Sequence, residues 1–265
     1  MSANKLMDRI IVSEDVTYEK GDTKRKQDLI AAAEIVHNTT FGISSDPLAQ
    51  FAIVFSALIH DVDHSGLTNA QLVKQGAEVA IFYQGVSIVE QNLVTVAWSI
   101  LMEPEYEKLR MAIFPTSSDR KRFRQLVVTT VLATDRIDSE LQRLRKTRWD
   151  KAFHQTEAPV DSDEDMNRKA IIVLEHIMQA SDVAHTMQHW HIYCKWNEKL
   201  FLERHRAYVC GHEAEDPSER WYENELGFFD NYVIPLANKL KECGVFGVSS
   251  ESTLALQSGT AWSGR

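Results

Sequence analysis

The most constraining feature of the sequence is an apolar segment, residues 47–59, that ends in a dense run of ionisable side chains. The segment reads PLAQFAIVFSALI, and Ser45 or Asp46 just before it can cap a helix N-terminus. Pro47 suits a first helical turn, and Gly66 suits a C-terminal stop. A helix that is apolar on all sides is buried. We therefore predict a central helix that runs on from Pro47 towards Gly66.

The rest of the chain favours a single all-helical domain. Apolar residues recur three and four positions apart, and 11 glycines and six prolines are few for 265 residues. We predict an all-α, compact multi-helix domain over residues 1–248 and a poorly ordered, small and polar tail over 249–265. Further helices are predicted at 68–83, 87–113, 119–145, 167–206 with breaks, and 219–242; the stretches HQTEAPVDSDEDMN and CGHEAEDPSE are predicted as loops.

Charge and cysteine content narrow the class of protein. The net charge is −9, which argues against a nucleic acid or an anionic membrane as the main partner. Three cysteines without a C-x-x-C pair argue against a disulfide framework or a thiolate zinc site. The charged N-terminus does not resemble a signal peptide, and no apolar run is long enough to span a membrane. We expect a cytoplasmic chain, either on its own or as the cytosolic part of a larger membrane protein.

The run His60-Asp61-Val62-Asp63-His64 follows the apolar segment directly. On a continuous helix, His60 and His64 would share a face with Asp61 and Asp63 beside it. Such groups are costly to bury unpaired, and a divalent cation accepts both imidazole nitrogen and carboxylate oxygen. We predict a metal site here. The alternative is a hydrogen-bonded helix end in which Asp63 and His64 serve the following loop.

A second candidate ligand lies in the segment EHIMQASDVAHTMQHWHIYCKW. Asp182 follows apolar neighbours such as Ile177 and Met178, where a carboxylate needs a cation or several hydrogen-bond donors. His185 lies three residues later on what we predict to be the same helix, so it can share the face of Asp182. For His185 the alternative is a packing role.

Five motifs together resemble one enzyme family. HDVDHSGLTN resembles the H-D-x-D-H-x-G-x-x-N signature of class I 3′,5′-cyclic nucleotide phosphodiesterase catalytic domains, which belong to the HD-type metal phosphohydrolases. SIVEQN, VLATD, ASDVAH and ELGFFDNYVIPL resemble four further family motifs in the family order. The chain is especially similar to phosphodiesterase domains fused to nucleotide cyclases.

The resemblance implies a function and a role for each matching residue. The function is metal-dependent hydrolysis of cAMP or cGMP to the 5′-monophosphate in signal transduction, with two divalent ions, zinc and either magnesium or manganese. The implied metal ligands are His60, Asp61 and Asp182, with Asp61 bridging the ions. His64 would lie beside the phosphate and Glu90 near the metal site. Phe228 would lie against the purine, and Glu225 stands where the family has a purine-reading glutamine.

The chain departs from the family upstream of the HD helix. There the family carries Y-H-N-x-x-H-A, which supplies its general acid and one metal ligand. VHNTTFG, residues 36–42, is too close to His60 to be that motif, so His37 keeps a structural interpretation. MSANKLMDRII resembles the family helix just beyond the motif, so we expect an N-terminally truncated chain or a fragment of a longer cyclase or receptor protein. Loss of a general acid costs about 10²- to 10⁴-fold in rate, so we expect weaker activity than in the intact parent.

Two further departures concern substrate binding. Asn92 and Leu93 replace paired histidines, and ATDRIDS lacks an expected histidine, so the phosphate contacts are fewer than in the family. Glu225 only accepts hydrogen bonds when ionised, which favours cGMP because guanine offers adjacent donors; the alternative is a solvated helix residue.

Two other functions stay open at this point. One is an HD-type phosphohydrolase that acts on a different phosphoester. The other is a non-catalytic module that keeps the fold and binds nucleotide or a partner domain.

Overall fold

The computed structural model describes residues 23–154 and 162–246, and every regular element within those two ranges is helical. The predicted tail, residues 249–265, and the N-terminal MSANKLMDRII lie outside the described residues. The helices, in chain order, are α1 (Thr23–Thr39), α2 (Pro47–Ile59), α3 (Asn69–Lys74), α4 (Glu78–Phe82), α5 (Ile88–Leu101), α6 (Glu107–Ile113), α7 (Ser117–Leu132), α8 (Ser139–Phe153), α9 (Ser162–Asp182), α10 (Trp190–Val209), α11 (Trp221–Phe228) and α12 (Ile234–Glu242).

Helix α2 is the apolar helix that the sequence predicts, but it is not buried on all sides, because Leu58 is 79% and Phe51 41% exposed. Asp46 caps it by accepting a hydrogen bond from the Ala49 backbone N–H at 3.1 Å, and Pro47 occupies the first turn. The helix packs against α7 and α9. Its contact with α7 includes a buried 2.7 Å hydrogen bond between the hydroxyls of Ser56 and Thr130. The polar pair is therefore satisfied inside an otherwise apolar interface.

The end of α2 differs from the prediction. The helix stops at Ile59, and residues 60–63 form a turn in which Asp63 has a φ of 58°. His60 Nδ1 donates to the carbonyl of Ala57 at 3.0 Å, so a side chain satisfies one of the last helical carbonyls. The prediction that His60 and His64 share one helical face is wrong, because a turn separates them.

Several longer predicted helices are divided. The predicted 119–145 helix is two helices, because Asp135 and Asp138 accept backbone N–H groups in the connecting turn and Asp138 caps α8. The predicted 68–83, 87–113, 167–206 and 219–242 helices divide at Gly76, at 102–106, at 183–189 and at a π-helical turn, Phe229–Val233. His185 consequently lies in a 3₁₀ turn, Ala184–Met187, and not on the helix of Asp182.

The predicted acidic loop is partly helical. Residues 155–161 lie outside the described residues, whereas α9 already begins at Ser162. Asp163, Glu164 and Asp165 occupy its first turn. Acidic side chains stabilise the positive end of a helix dipole, and Asp165 also pairs with Lys169 at 2.7 Å. The acidic residues that suggested a solvated loop therefore form the first turn of α9.

One apolar core joins α2, α5, α7, α8, α9 and α12, and its largest fully buried side chains include Trp149 and Phe123. A smaller cluster formed by Leu72, Ala80 and Ile88 connects α3, α4 and α5. None of the helices in the described ranges is long and apolar enough to span a membrane.

The core also holds a buried histidine in its neutral form. His176 Nδ1 donates to the Ile172 carbonyl at 2.7 Å, while Nε2 faces the Lys239 ammonium at 3.4 Å. Burial is the main reason why the pKa of His176 falls from 6.5 to about 3, and Lys239 lowers it further. Since a neutral imidazole has one donor and one acceptor nitrogen, both nitrogens of His176 are satisfied only without the second proton.

Because His176 is buried in its neutral form, we predict that acid destabilises the fold. The unfolded chain takes up a proton below pH 6.5, whereas folded His176 does not until pH falls to about 3. The contribution of His176 is therefore complete above pH 6.5 and is lost as pH decreases, by about 1.4 kcal/mol per pH unit. Urea unfolding of the wild type and His176→Gln at pH 7, 6 and 5 measures it. We expect the stability difference between the two proteins to shrink with acid; a constant difference would contradict the assignment.

Candidate active site

A cavity of about 210 Å³ lies where the end of α2, the first turns of α3 and α5, the α7–α8 turn and the end of α9 meet. Its polar lining includes most of the residues that the sequence predicts for a site. The residues that line it are His60, Asp61, His64, Leu67, Thr68, Asn69, Val89, Glu90, Leu93, Thr134, Asp135, Arg136, Ile137 and Asp182.

His60 brings the three predicted metal ligands together. Its Nε2 lies 3.0 Å from Asp61 Oδ2 and 3.6 Å from Asp182 Oδ1. Burial disfavours the imidazolium, but its contacts with the Asp182 and Asp61 carboxylates outweigh burial and raise the pKa of His60 to about 10. The contact with His60 in turn lowers the pKa of Asp61. The three side chains therefore form a charged cluster at the cavity wall.

The donor types of this cluster suit a divalent cation, since imidazole nitrogen and carboxylate oxygen both ligate zinc, and carboxylates also ligate magnesium and manganese. The arrangement is one of mutual pairing, because His60 Nε2 points at the two carboxylates. Within residues 23–154 and 162–246, no three His, Cys, Asp or Glu side chains are grouped so as to hold a metal ion. The chemistry of the residues fits a metal, while their present spacing is that of an ion-pair cluster.

Glu90 lines the same cavity from the first turn of α5. Its Oε2 accepts a hydrogen bond from Asn69 Nδ2 at 3.0 Å, and Asn69 Oδ1 accepts from the Val89 backbone N–H at 2.9 Å. Burial raises the pKa of Glu90, although the Asn69 hydrogen bond opposes the shift. Asn69 thus fixes the position of a carboxyl group that keeps its proton more readily than an exposed glutamate.

His64 also lines the cavity, although it is exposed. Its Nδ1 accepts a hydrogen bond from the Gly66 backbone N–H at 2.9 Å. An accepting Nδ1 leaves the ring proton on Nε2, so the other nitrogen is a hydrogen-bond donor. Asp63, its neighbour in the predicted run, does not line the cavity.

Asp135 is a site residue for which the sequence predicted no role, although it ends the VLATD motif. It is 3% exposed, and its carboxylate accepts from the Ser87 hydroxyl at 2.7 Å and from the backbone N–H groups of Ile137 and Asp138 at 3.0 and 3.2 Å. Asn69 Nδ2 lies 3.5 Å from it. Asp135 therefore links α3, α5 and the α7–α8 turn at the cavity wall.

The two residues predicted to bind the base lie outside the cavity wall. Glu225 Oε2 accepts from Tyr193 Oη and Asn197 Nδ2, both at 2.6 Å. Phe228 stacks on Tyr232, with ring centroids 5.6 Å apart. The Arg136 guanidinium lies 5.4 Å from the Phe228 ring centroid and is itself part of the cavity lining. Phe228 thus meets the cavity through Arg136, a residue to which the sequence assigned no role.

Two further histidines are not part of this wall. His37 lies elsewhere, with its Nδ1 2.5 Å from the Ser45 hydroxyl. His185 is half-buried, and burial lowers its pKa. Neither residue lines the cavity.

Comparison with known proteins gives the family. The family model for 3′5′-cyclic nucleotide phosphodiesterase matches residues 29–245. The chain is 27% identical over 243 residues to the mouse (Mus musculus) dual specificity calcium/calmodulin-dependent 3′,5′-cyclic nucleotide phosphodiesterase 1C, covering 85% of this chain and 32% of that protein. It is 27% identical over 202 residues to the probable 3′,5′-cyclic-AMP phosphodiesterase pde-4 of Caenorhabditis elegans, covering 71% of this chain and 29% of that protein. The chain thus spans about a third of the curated relatives' length.

A solved structure gives the same fold. The crystal structure of the phosphodiesterase domain of the RhoPDE fusion protein from the choanoflagellate Salpingoeca rosetta superimposes with a TM-score of 0.61 at 20% identity. The match covers 77% of this chain and 67% of that one. The predicted all-α phosphodiesterase-type fold is therefore confirmed, and with the family model matching most of its length, the chain belongs to the 3′,5′-cyclic nucleotide phosphodiesterase family.

Proposed function

We propose that this chain carries the catalytic site of a metal-dependent hydrolase that converts 3′,5′-cyclic nucleotides to 5′-monophosphates. The observation that supports it best is the meeting of His60, Asp61 and Asp182 with Glu90 at one cavity. These residues come from the turn after α2, from α5 and from α9, which are far apart in sequence. All four lie inside the range that the family model matches.

We assign His60, Asp61 and Asp182 as the residues that would hold two divalent ions, zinc and either magnesium or manganese. When bound, such ions acidify water and neutralise charge on phosphate oxygens. Binding requires that His60 lose its proton, since a ligating imidazole is neutral. The raised pKa of His60 in the free chain therefore makes metal uptake a proton-releasing step.

The remaining site residues hold the cavity in shape and contact the substrate. Asn69 holds Glu90, and Asp135 anchors the turn behind both. His64 can donate a hydrogen bond to a phosphate oxygen from Nε2. We assign Phe228 as an apolar support for the base and Glu225 as the base-reading side chain, with a preference for cGMP because a carboxylate accepts from guanine's adjacent donors.

We further propose that the chain acts as one part of a longer signalling protein. It spans about a third of its curated relatives, and its structural neighbour is the phosphodiesterase domain of a fusion protein. We propose a cytosolic location for this part of the protein. A cyclase or receptor region is the proposed fusion partner.

A second candidate function is nucleotide binding without turnover. The observation in its favour is that His60, Asp61 and Asp182 pair with one another and that the described residues contain no group of three metal-holding side chains. A domain of this kind would use the same cavity for recognition only.

Hydrolysis of cAMP and cGMP by the 265-residue chain separates the two functions. The purified chain is dialysed against a chelator and assayed with no metal, Mg²⁺, Mn²⁺ or Zn²⁺, with the 5′-monophosphate quantified. We expect turnover only after metal is restored. Turnover that survives chelation would contradict metal dependence. Nucleotide binding without turnover under any metal would favour the second candidate.

A further inference from the structure

We propose that Arg136 binds the phosphate group of the cyclic nucleotide. This inference deepens the proposed function and rests on it. Arg136 follows Asp135 in the α7–α8 turn, and its side chain lines the cavity. The turn is well anchored: Asp135 accepts two of its backbone N–H groups, and Arg145 Nη1 donates to the Asp135 carbonyl at 2.8 Å. The backbone that carries Arg136 is therefore fixed.

Two aromatic rings hold the guanidinium. It lies 5.4 Å from the ring centroids of both Phe228 and Tyr232, which stack on each other at an interplanar angle of 17°. Cation–π contacts with two rings orient an arginine without using any of its N–H groups. The five N–H donors of Arg136 thus stay available for a ligand in the cavity.

Charge gives the reason for a phosphate ligand. The cavity is lined by four carboxyl groups, those of Asp61, Glu90, Asp135 and Asp182. A cyclic phosphodiester is an anion, so these groups repel it unless positive charge is present. Among the described residues that line the cavity, Arg136 is the one arginine or lysine. Its planar fork matches two phosphate oxygens.

In the described part of the chain Arg136 lacks a carboxylate partner, which supports the same conclusion. Most charged groups at this site have partners: His60 contacts two carboxylates, and Asp135 accepts three hydrogen bonds. Arg136 has no carboxylate within 4.0 Å in the described part of the chain. An arginine held in place on a cavity rim, with its charge unpaired, is suited to an anionic ligand.

The test compares charged and neutral ligands of the same shape. Binding of cAMP and cGMP, and of the uncharged nucleosides adenosine and guanosine, is measured by calorimetry at two salt concentrations. The proteins are the wild type, Arg136→Met and Arg136→Lys. Arg143→Met serves as a control for net charge, because Arg143 is exposed on α8 and does not line the cavity.

We expect Arg136→Met to weaken cyclic nucleotide binding by about tenfold and to leave nucleoside binding unchanged. Arg136→Lys should lie between, since an ammonium keeps the charge and loses the fork. The salt dependence of nucleotide binding should decrease in Arg136→Met and stay the same in Arg143→Met.

Other outcomes overturn the proposal. Unchanged nucleotide affinity in Arg136→Met would remove Arg136 from the site. An equal loss for nucleotide and nucleoside would show that Arg136 only supports Phe228 and Tyr232. Hydrolysis by the wild type is measured separately. If the wild type is active and Arg136→Met binds nucleotide equally well, this inference alone is refuted. If nucleotide binding depends on Arg136 but no hydrolysis occurs, the proposed catalysis alone is refuted. A wild type that binds neither ligand refutes both.

Discussion

Asp61→Ala and Asp182→Ala should each lower kcat/KM for cyclic nucleotide by about 100-fold or more. Each change removes one of the two carboxylates that contact His60 Nε2, at 3.0 and 3.6 Å. In the proposed mechanism these carboxylates hold the divalent ions, so their loss removes both the ions and the groups that position His60. Steady-state hydrolysis at saturating Mg²⁺ or Mn²⁺ measures the effect.

Two controls accompany this prediction. Glu105→Gln removes an exposed negative charge that does not line the cavity, so its kcat/KM should match the wild type. Thermal unfolding should show that the Asp61 variant stays folded, because the Asp61 side chain is 70% exposed. Wild-type turnover in a folded Asp61→Ala protein would refute the assignment of Asp61.

The sequence predicted the class of fold and the central helix because both depend on local patterns. Asp46 and Pro47 start α2 by capping chemistry that needs no tertiary partner. The end of α2 depends on more. His60 turns back to the Ala57 carbonyl while it meets Asp182 from α9. Hydrophobic periodicity carries no information about that contact, so the predicted extension towards Gly66 was wrong.

The candidate site was predictable in part for a similar reason. The density of ionisable residues around His60 and the apolar surroundings of Asp182 marked two segments, and the structure places them in contact. Asn69, Asp135 and Arg136 were not assigned roles, because their importance follows from contacts between separate helices. Asn69 joins α3 to Glu90 on α5, and Arg136 meets Phe228 on α11. Aspartate and asparagine in turns are common, so composition alone could not single them out.

Asp135 shows how one side chain links the fold to the site. Its carboxylate satisfies the buried Ser87 hydroxyl at the start of α5 and two backbone N–H groups in the α7–α8 turn. The Ser87 hydroxyl has little access to solvent, since Ser87 and Asp135 are each 3% exposed. The α7–α8 turn carries Arg136 and lies beside Asn69, which holds Glu90. The stability of this region and the shape of the cavity therefore depend on the same group.

Asp135→Ala should lower the free energy of unfolding by about 3 kcal/mol, because the buried Ser87 hydroxyl and two backbone N–H groups lose their acceptor. Asp138→Ala is the matched control: it removes only the cap of α8, where Asp138 accepts from the Glu140 and Leu141 N–H groups, and should cost about 1 kcal/mol. Asp135→Asn keeps an accepting oxygen and should fall between them. Urea unfolding at neutral pH measures all three. If Asp135→Ala lost no more stability than Asp138→Ala, the carboxylate would not be the link between the helices, and the position of Arg136 would have to be explained by its aromatic contacts alone.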